Sequence, residues 1–161
     1  MSLSLGAMER RAIETHAARG YPEEACGVLL GRDEKERRVV SEVVELENAG
    51  ESSRHNRYVI SPEQFLRAER RARDTGLDVI GFFHSHPDHP ARPSAFDLEH
   101  AWPYYSYLIV SVMNGRVTDA RSWRLTDDRS RFDPEPLEAS ADGPGVVGEE
   151  RTSPDRGKSE E

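Results

Sequence analysis

The chain has 161 residues, a length that fits one domain around one core. It is 32% charged with a formal net charge of −8, which argues against a nucleic-acid surface, since that needs a basic face. One cysteine excludes an internal disulfide and fits a reducing compartment. No stretch approaches the roughly 20 apolar residues of a membrane span, and Met1 to Gly20 lacks the apolar run of a signal peptide. A soluble cytoplasmic protein is expected.

Leu5, Met8, Ala12 and Ile13 fall on one side of a helix predicted over 4–19, ended by Gly20 and Pro22. Cys26 to Leu30 is an apolar run closed by Gly31 and reads as a buried strand. Val39 to Leu46 is the next strand, with Asp33 to Arg37 as a charged hairpin connection. Asn48 to Arg57 is loop-like and Tyr58 to Ile60 extended. Ser61 is a good N-cap with Pro62 at the first helical position, so a second helix runs to about Thr75 and stops at Gly76. Its arginines (Arg67, Arg70, Arg71, Arg73) are interleaved with Glu63, Glu69 and Asp74, the pattern of a solvated face.

Val79 to Phe83 is a second apolar run and leads directly to His84. A short helix is expected over 94–102, then a strand from Tyr105 to Met113. Asn114-Gly115 signals a tight turn, and Arg116 to Leu125 completes the hairpin. Beyond Phe132 the composition changes. Residues 133–161 hold nine acids, three bases, four prolines and four glycines. They are expected to form a largely disordered acidic tail, disordered from about residue 139. The order αββ-α-β-α-ββ implies an α/β fold over 1–132, a mixed sheet flanked by helices.

The chemistry concentrates in His84-Ser85-His86-Pro87, followed by Ser94 and Asp97. Alternation in an extended segment puts His84 and His86 on the same side, and Pro87 ends the ladder because it has no N–H to donate. Ser-Ala-Phe-Asp fits a helix start, with Ser94 as cap and Asp97 in a first turn whose dipole favours a carboxylate. Two imidazoles and one carboxylate suit a single zinc with one position left for water, the arrangement of a catalytic rather than a structural site. Either half of the pattern alone is commonplace; the succession of strand, His-x-His-Pro and Ser-x-x-Asp at a helix start is not.

Two competing motifs fail. His84-Ser-His86-Pro-Asp88-His89 also fits the His-x-His-x-Asp-His pattern of metallo-β-lactamase-type hydrolases, but that fold needs histidines further downstream and His100 is the last. A zinc deaminase needs a Cys-x-x-Cys pair, and Cys26 stands alone in an apolar run, as a core residue would. His89 and His100 read as rim residues, His16 and His55 as surface ones.

At these residues the chain resembles the JAMM (MPN-plus, Mov34/PAD-type) zinc metallopeptidases, particularly their compact stand-alone bacterial members. The resemblance includes the upstream Tyr21-Pro22-Glu23-Glu24-Ala25-Cys26-Gly27 and the segment Asn56 to Pro62, and it spans about 5–125. It implies a three-layer, cytidine-deaminase-like architecture with one zinc per chain on His84, His86 and Asp97. It also implies Glu24 as general base and proton carrier, with Ser94 as a donor to the developing oxyanion. Glu23 competes with Glu24 for the first role, and helix capping competes for the Ser94 hydroxyl. Ser85 reads as a supporting or merely small residue. The implied substrate is a peptide or isopeptide bond at the C-terminus of a ubiquitin-like, sulfur-carrier-type protein. The alternatives are a non-catalytic MPN scaffold that binds a partner protein and a RadC-like role, for which the basic patch is lacking.

Overall fold

A computed structural model of the chain describes residues 1–140. The elements are β1 (Ser2–Leu5), α1 (Ala7–Gly20), β2 (Cys26–Glu34), β3 (Arg37–Leu46), α2 (Pro62–Thr75) and β4 (Asp78–Pro87). There follow α3 (Ala95–His100), β5 (Ser106–Met113), β6 (Arg116–Leu125), β7 (Phe132–Glu135) and β8 (Leu137–Ala139). The eight strands form one mixed sheet in the order β7-β6-β5-β4-β2-β3-β1-β8. The expected mixed sheet flanked by helices is the fold observed.

Alternation along the strands divides the apolar residues between the two faces. Leu29, Ile80, Phe83, Leu108 and Val110 pack with Ile13 and Ala17 of α1 on one face. Val28 and Leu30, one residue out of phase, pack with Ala68 and Ala72 of α2 on the other. The start of α2 is as expected: Ser61 Oγ accepts from the Gln64 N–H (3.1 Å), and the Gln64 side chain accepts from the Ser61 N–H (2.8 Å). Gly76, with φ of 71°, closes the helix in the left-handed conformation that glycine adopts without strain. Among the described residues no helix is long and apolar enough to cross a membrane.

Three expectations are corrected. The helix does not begin at residue 4: Ser2–Leu5 is a fully buried strand paired in parallel with β3, and α1 follows Gly6. Four residues with an alternating Ser-Leu pattern are too few for periodicity to separate strand from helix. His16 is not a free surface residue, since its Nε2 lies 3.1 Å from the Cys26 carbonyl and 3.0 Å from that of Leu46.

Residues 133–139, assigned by composition to the tail, complete the sheet. β7 pairs antiparallel with β6 and β8 pairs parallel with β1, with Pro136 alone between them. One continuous segment therefore joins the two ends of the sheet. Pro134 is tolerated because an edge strand can lose an N–H without breaking a ladder. The acid Glu135 is buried because it accepts from Ser122 Oγ (2.8 Å) and Arg124 Nη1 (3.3 Å). The remainder of the expected tail, 141–161, lies outside the described residues.

Candidate active site

β4 carries the chain from the centre of the sheet to its rim, and its last residues are the His-Ser-His-Pro motif. His84 and His86 project from the same face. α3 starts close by, capped at Ser94, and brings Asp97 between them. The three groups are buried and their ligand atoms converge. His84 Nε2 lies 3.2 Å from His86 Nε2 and 3.2 Å from Asp97 Oδ2, and His86 Nε2 lies 3.1 Å from the same oxygen. Donors about 2.0–2.1 Å from a tetrahedral metal are about 3.3 Å apart, so the triangle matches one face of such a site.

The surroundings prepare these groups to bind a cation. His86 Nδ1 lies 2.8 Å from the Pro90 carbonyl, a contact that places its proton on Nδ1 and turns the Nε2 lone pair inward. Burial works to raise the Asp97 pKa, but His84, His86 and the Ser94 N–H hold its carboxyl well below the usual carboxylate range. Burial disfavours both imidazolium ions. It prevails at His84, which is lowered, whereas the hydrogen bond to Asp97 and its charge leave His86 raised.

Glu24 lies two residues before β2, close enough to the triangle to feel the charges of His86 and Asp97. It is buried, while Glu23 is exposed and within 4.0 Å of Arg54. Burial pushes the Glu24 carboxyl up to about 8, with His86 lowering it and Asp97 raising it. Its Oε1 has no hydrogen-bond partner among the described residues. The spacing Glu24-x-x-Gly27 has a steric reason, since a Cβ at Gly27 would collide with the Phe83 ring and the Val44 carbonyl.

Ser85, between the two histidines, points the other way and holds the residue after Glu24: Ala25 N–H donates to Ser85 Oγ (2.8 Å), and Ser85 N–H to the Ala25 carbonyl (2.9 Å). Ser94 Oγ accepts the Asp97 N–H (3.1 Å). A hydroxyl has one donor and two acceptor positions, so capping leaves its O–H free and the two roles do not compete. Asp88 and His89 are exposed and outside the triangle. Asp88 instead accepts from Tyr21 Oη (2.6 Å) and the Asn114 N–H (2.9 Å), clasping two loops together. His100 stacks on Phe96 at 4.0 Å between centroids and contributes nothing to the triangle. Burial raises the Cys26 thiol to about 12, as in a core residue.

Beside the triangle lies an open groove of about 850 Å³ between α2 and α3. Phe65, Phe82, Phe96, Trp102 and Tyr107 line it, together with His84 and Asp97. These aromatic residues are dispersed in the sequence and were not legible there as one surface. Two further residues were missed. Tyr58 stacks on the His84 ring, with centroids 4.5 Å apart and planes 22° apart. Asn48 donates to the Glu24 carbonyl at 3.0 Å.

The model of a family described as prokaryotic homologs of the JAB domain matches residues 7–126. The chain belongs to that family. Among its relatives, a protein named desampylase from Haloferax volcanii is 39% identical over 126 residues, covering 75% of this chain and 87% of the relative. One named CysO-cysteine peptidase from Mycobacterium tuberculosis is 32% identical over 117 residues, covering 72% and 77%. A solution structure of a protein from Desulfitobacterium hafniense superposes with a TM-score of 0.77 at 32% identity, covering 88% of this chain and 94% of that one. The JAB match covers α1 through β6, and so includes Glu24, the histidines, Ser94 and Asp97.

Proposed function

We propose that this chain is a zinc-dependent peptidase or isopeptidase acting at the C-terminus of a ubiquitin-like protein of the sulfur-carrier type, in the cytoplasm. The carrying observation is the triangle of His84, His86 and Asp97 donors, 3.1–3.2 Å apart, beside the buried carboxyl of Glu24. Relatives named desampylase and CysO-cysteine peptidase support the substrate class.

His84, His86 and Asp97 would hold one zinc ion. Bound there, zinc supplies a Lewis acid that polarises a carbonyl and acidifies water. Glu24 takes the proton of the attacking water and passes it to the leaving nitrogen. Its pKa of about 8, set by burial, favours such a shuttle near neutral pH, and a neighbouring cation draws it lower. Ser94 turns its free O–H toward the carbonyl oxygen as negative charge develops there. The aromatic groove offers an apolar channel for the extended segment that carries the scissile bond.

The test is zinc content after stripping and reconstitution, measured with cleavage of a ubiquitin-like protein carrying a C-terminal extension. One equivalent of zinc and release of the extension are expected. Glu24→Gln, which keeps shape and removes the base, should keep the zinc and lose about 10²–10⁴-fold in kcat. Undiminished turnover in Glu24→Gln would overturn the assigned role, and a wild type that binds no zinc would overturn the function itself.

A further inference from the structure

The two imidazoles are oriented by different means. The His86 ring is fixed by its Nδ1 contact with the Pro90 carbonyl. His84 is 1% exposed, and its Nδ1 has no hydrogen-bond partner among the described residues. The final torsion of a histidine side chain is broad and roughly two-fold, so an imidazole without such a bond needs another restraint. Tyr58 supplies a flat one, its ring lying against the His84 ring at 4.5 Å and 22°.

Tyr58 is itself held on both sides by one side chain. Asn48 Nδ2 donates to the carbonyl of Arg57 (2.9 Å), and Asn48 Oδ1 accepts from the Val59 N–H (3.1 Å). The backbone reinforces this where the Ala49 N–H donates to the Val59 carbonyl at 2.9 Å. The same Asn48 amide donates to the Glu24 carbonyl (3.0 Å), and its oxygen also accepts from the Gly50 N–H (2.9 Å). Both donors and both acceptor positions of the amide are thereby used. The Glu24 N–H donates to the Arg54 carbonyl in the same loop, at 2.6 Å.

We propose that Asn48 and Tyr58 form a positioning unit: the Tyr58 ring sets the plane of His84 in place of a hydrogen bond, and Asn48 holds that ring and the Glu24 backbone in one frame. Neither residue touches the reacting atoms. The loop over 48–59 thereby sets the affinity of the metal site. This inference rests on the zinc reading above, and its test separates the two.

Zinc affinity is measured on stripped protein by competition with a chromogenic chelator, alongside thermal unfolding of the metal-free form. Tyr58→Phe keeps the ring and should bind zinc within about twofold of wild type. Tyr58→Leu keeps apolar bulk without the flat face and should weaken zinc about 10–100-fold, the range for residues that orient ligands. Asn48→Asp keeps the oxygen but loses both N–H donors, and should weaken zinc about tenfold by the same reasoning. If Tyr58→Leu does not fold, Asn48→Asp carries the test. Wild-type affinity in whichever of these two variants folds overturns the positioning unit and leaves the zinc site standing. Absence of zinc binding in the wild type would instead overturn the reading on which it rests.

Discussion

Glu135→Ala tests whether the segment that joins the ends of the sheet is an integral part of the domain. Its carboxylate is 1% exposed and accepts from Ser122, itself 2% exposed, and from Arg124, which is 28% exposed. Removing the acceptor strands the Ser122 hydroxyl in the interior, at a cost of about 1–3 kcal/mol. Arg124 can turn to water, so its pair adds little, about 0–1 kcal/mol. The sum is about 1–4 kcal/mol, or about 3–12 °C in Tm for a domain of this size. Glu135→Gln retains an oxygen for Ser122 and should lose less than half of that. The assay is calorimetric unfolding of the metal-free proteins at one pH and salt concentration. A Tm for Glu135→Ala within about 2 °C of wild type, below that range, would show that the buried carboxylate does not tie 133–139 into the domain.

Truncation after Ser140 should leave Tm and zinc content unchanged, because the joining segment is complete; a fall in either would show that 141–161 contribute to the domain. Ser94→Ala should cost about 1 kcal/mol of stability through the lost cap and about 10²–10³ in kcat through the lost donor. Ser94→Asp caps but cannot donate, so recovery of stability without recovery of kcat is expected, and full recovery of both would remove the oxyanion role. Zinc affinity should rise with pH through the range where His86 titrates. Asp97 keeps its imidazole above the ordinary value of 6.5. The metal must therefore displace a proton below that raised pKa, and affinity should climb about tenfold per unit and then level off. An affinity flat from pH 6 to 8 would contradict this.

The triangle was legible because both halves obey short-range rules: i and i+2 share a side of β4, and a Ser-x-x-Asp start fixes Asp97 in the first turn of α3. The Glu24 segment was marked through the resemblance, by its spacing to Gly27, and the need for glycine there comes from Phe83 and Val44 on the two neighbouring strands. What escaped depended on distant partners. Glu135 is an acid in a proline-rich stretch, and only Ser122 and Arg124, on a neighbouring strand, make its burial tolerable. Tyr58 and the groove aromatics carry no motif, and their meeting is decided by how α2 and α3 pack over the sheet. The choice between Glu23 and Glu24 likewise needed burial, which spacing alone does not give.

Asp97 Oδ2 faces both imidazoles and also accepts the Ser94 N–H at 2.9 Å, at the point where α3 begins. The atom that would hold the metal is thus also the atom that closes the helix end, and α3 carries Phe96 and the wall of the groove. A cation on that oxygen and a peptide in the groove would therefore bear on the same six-residue helix. By reciprocity, whatever factor the metal contributes to peptide affinity, the peptide contributes to metal affinity, so a metal that tightens peptide binding is itself held more tightly while substrate is bound.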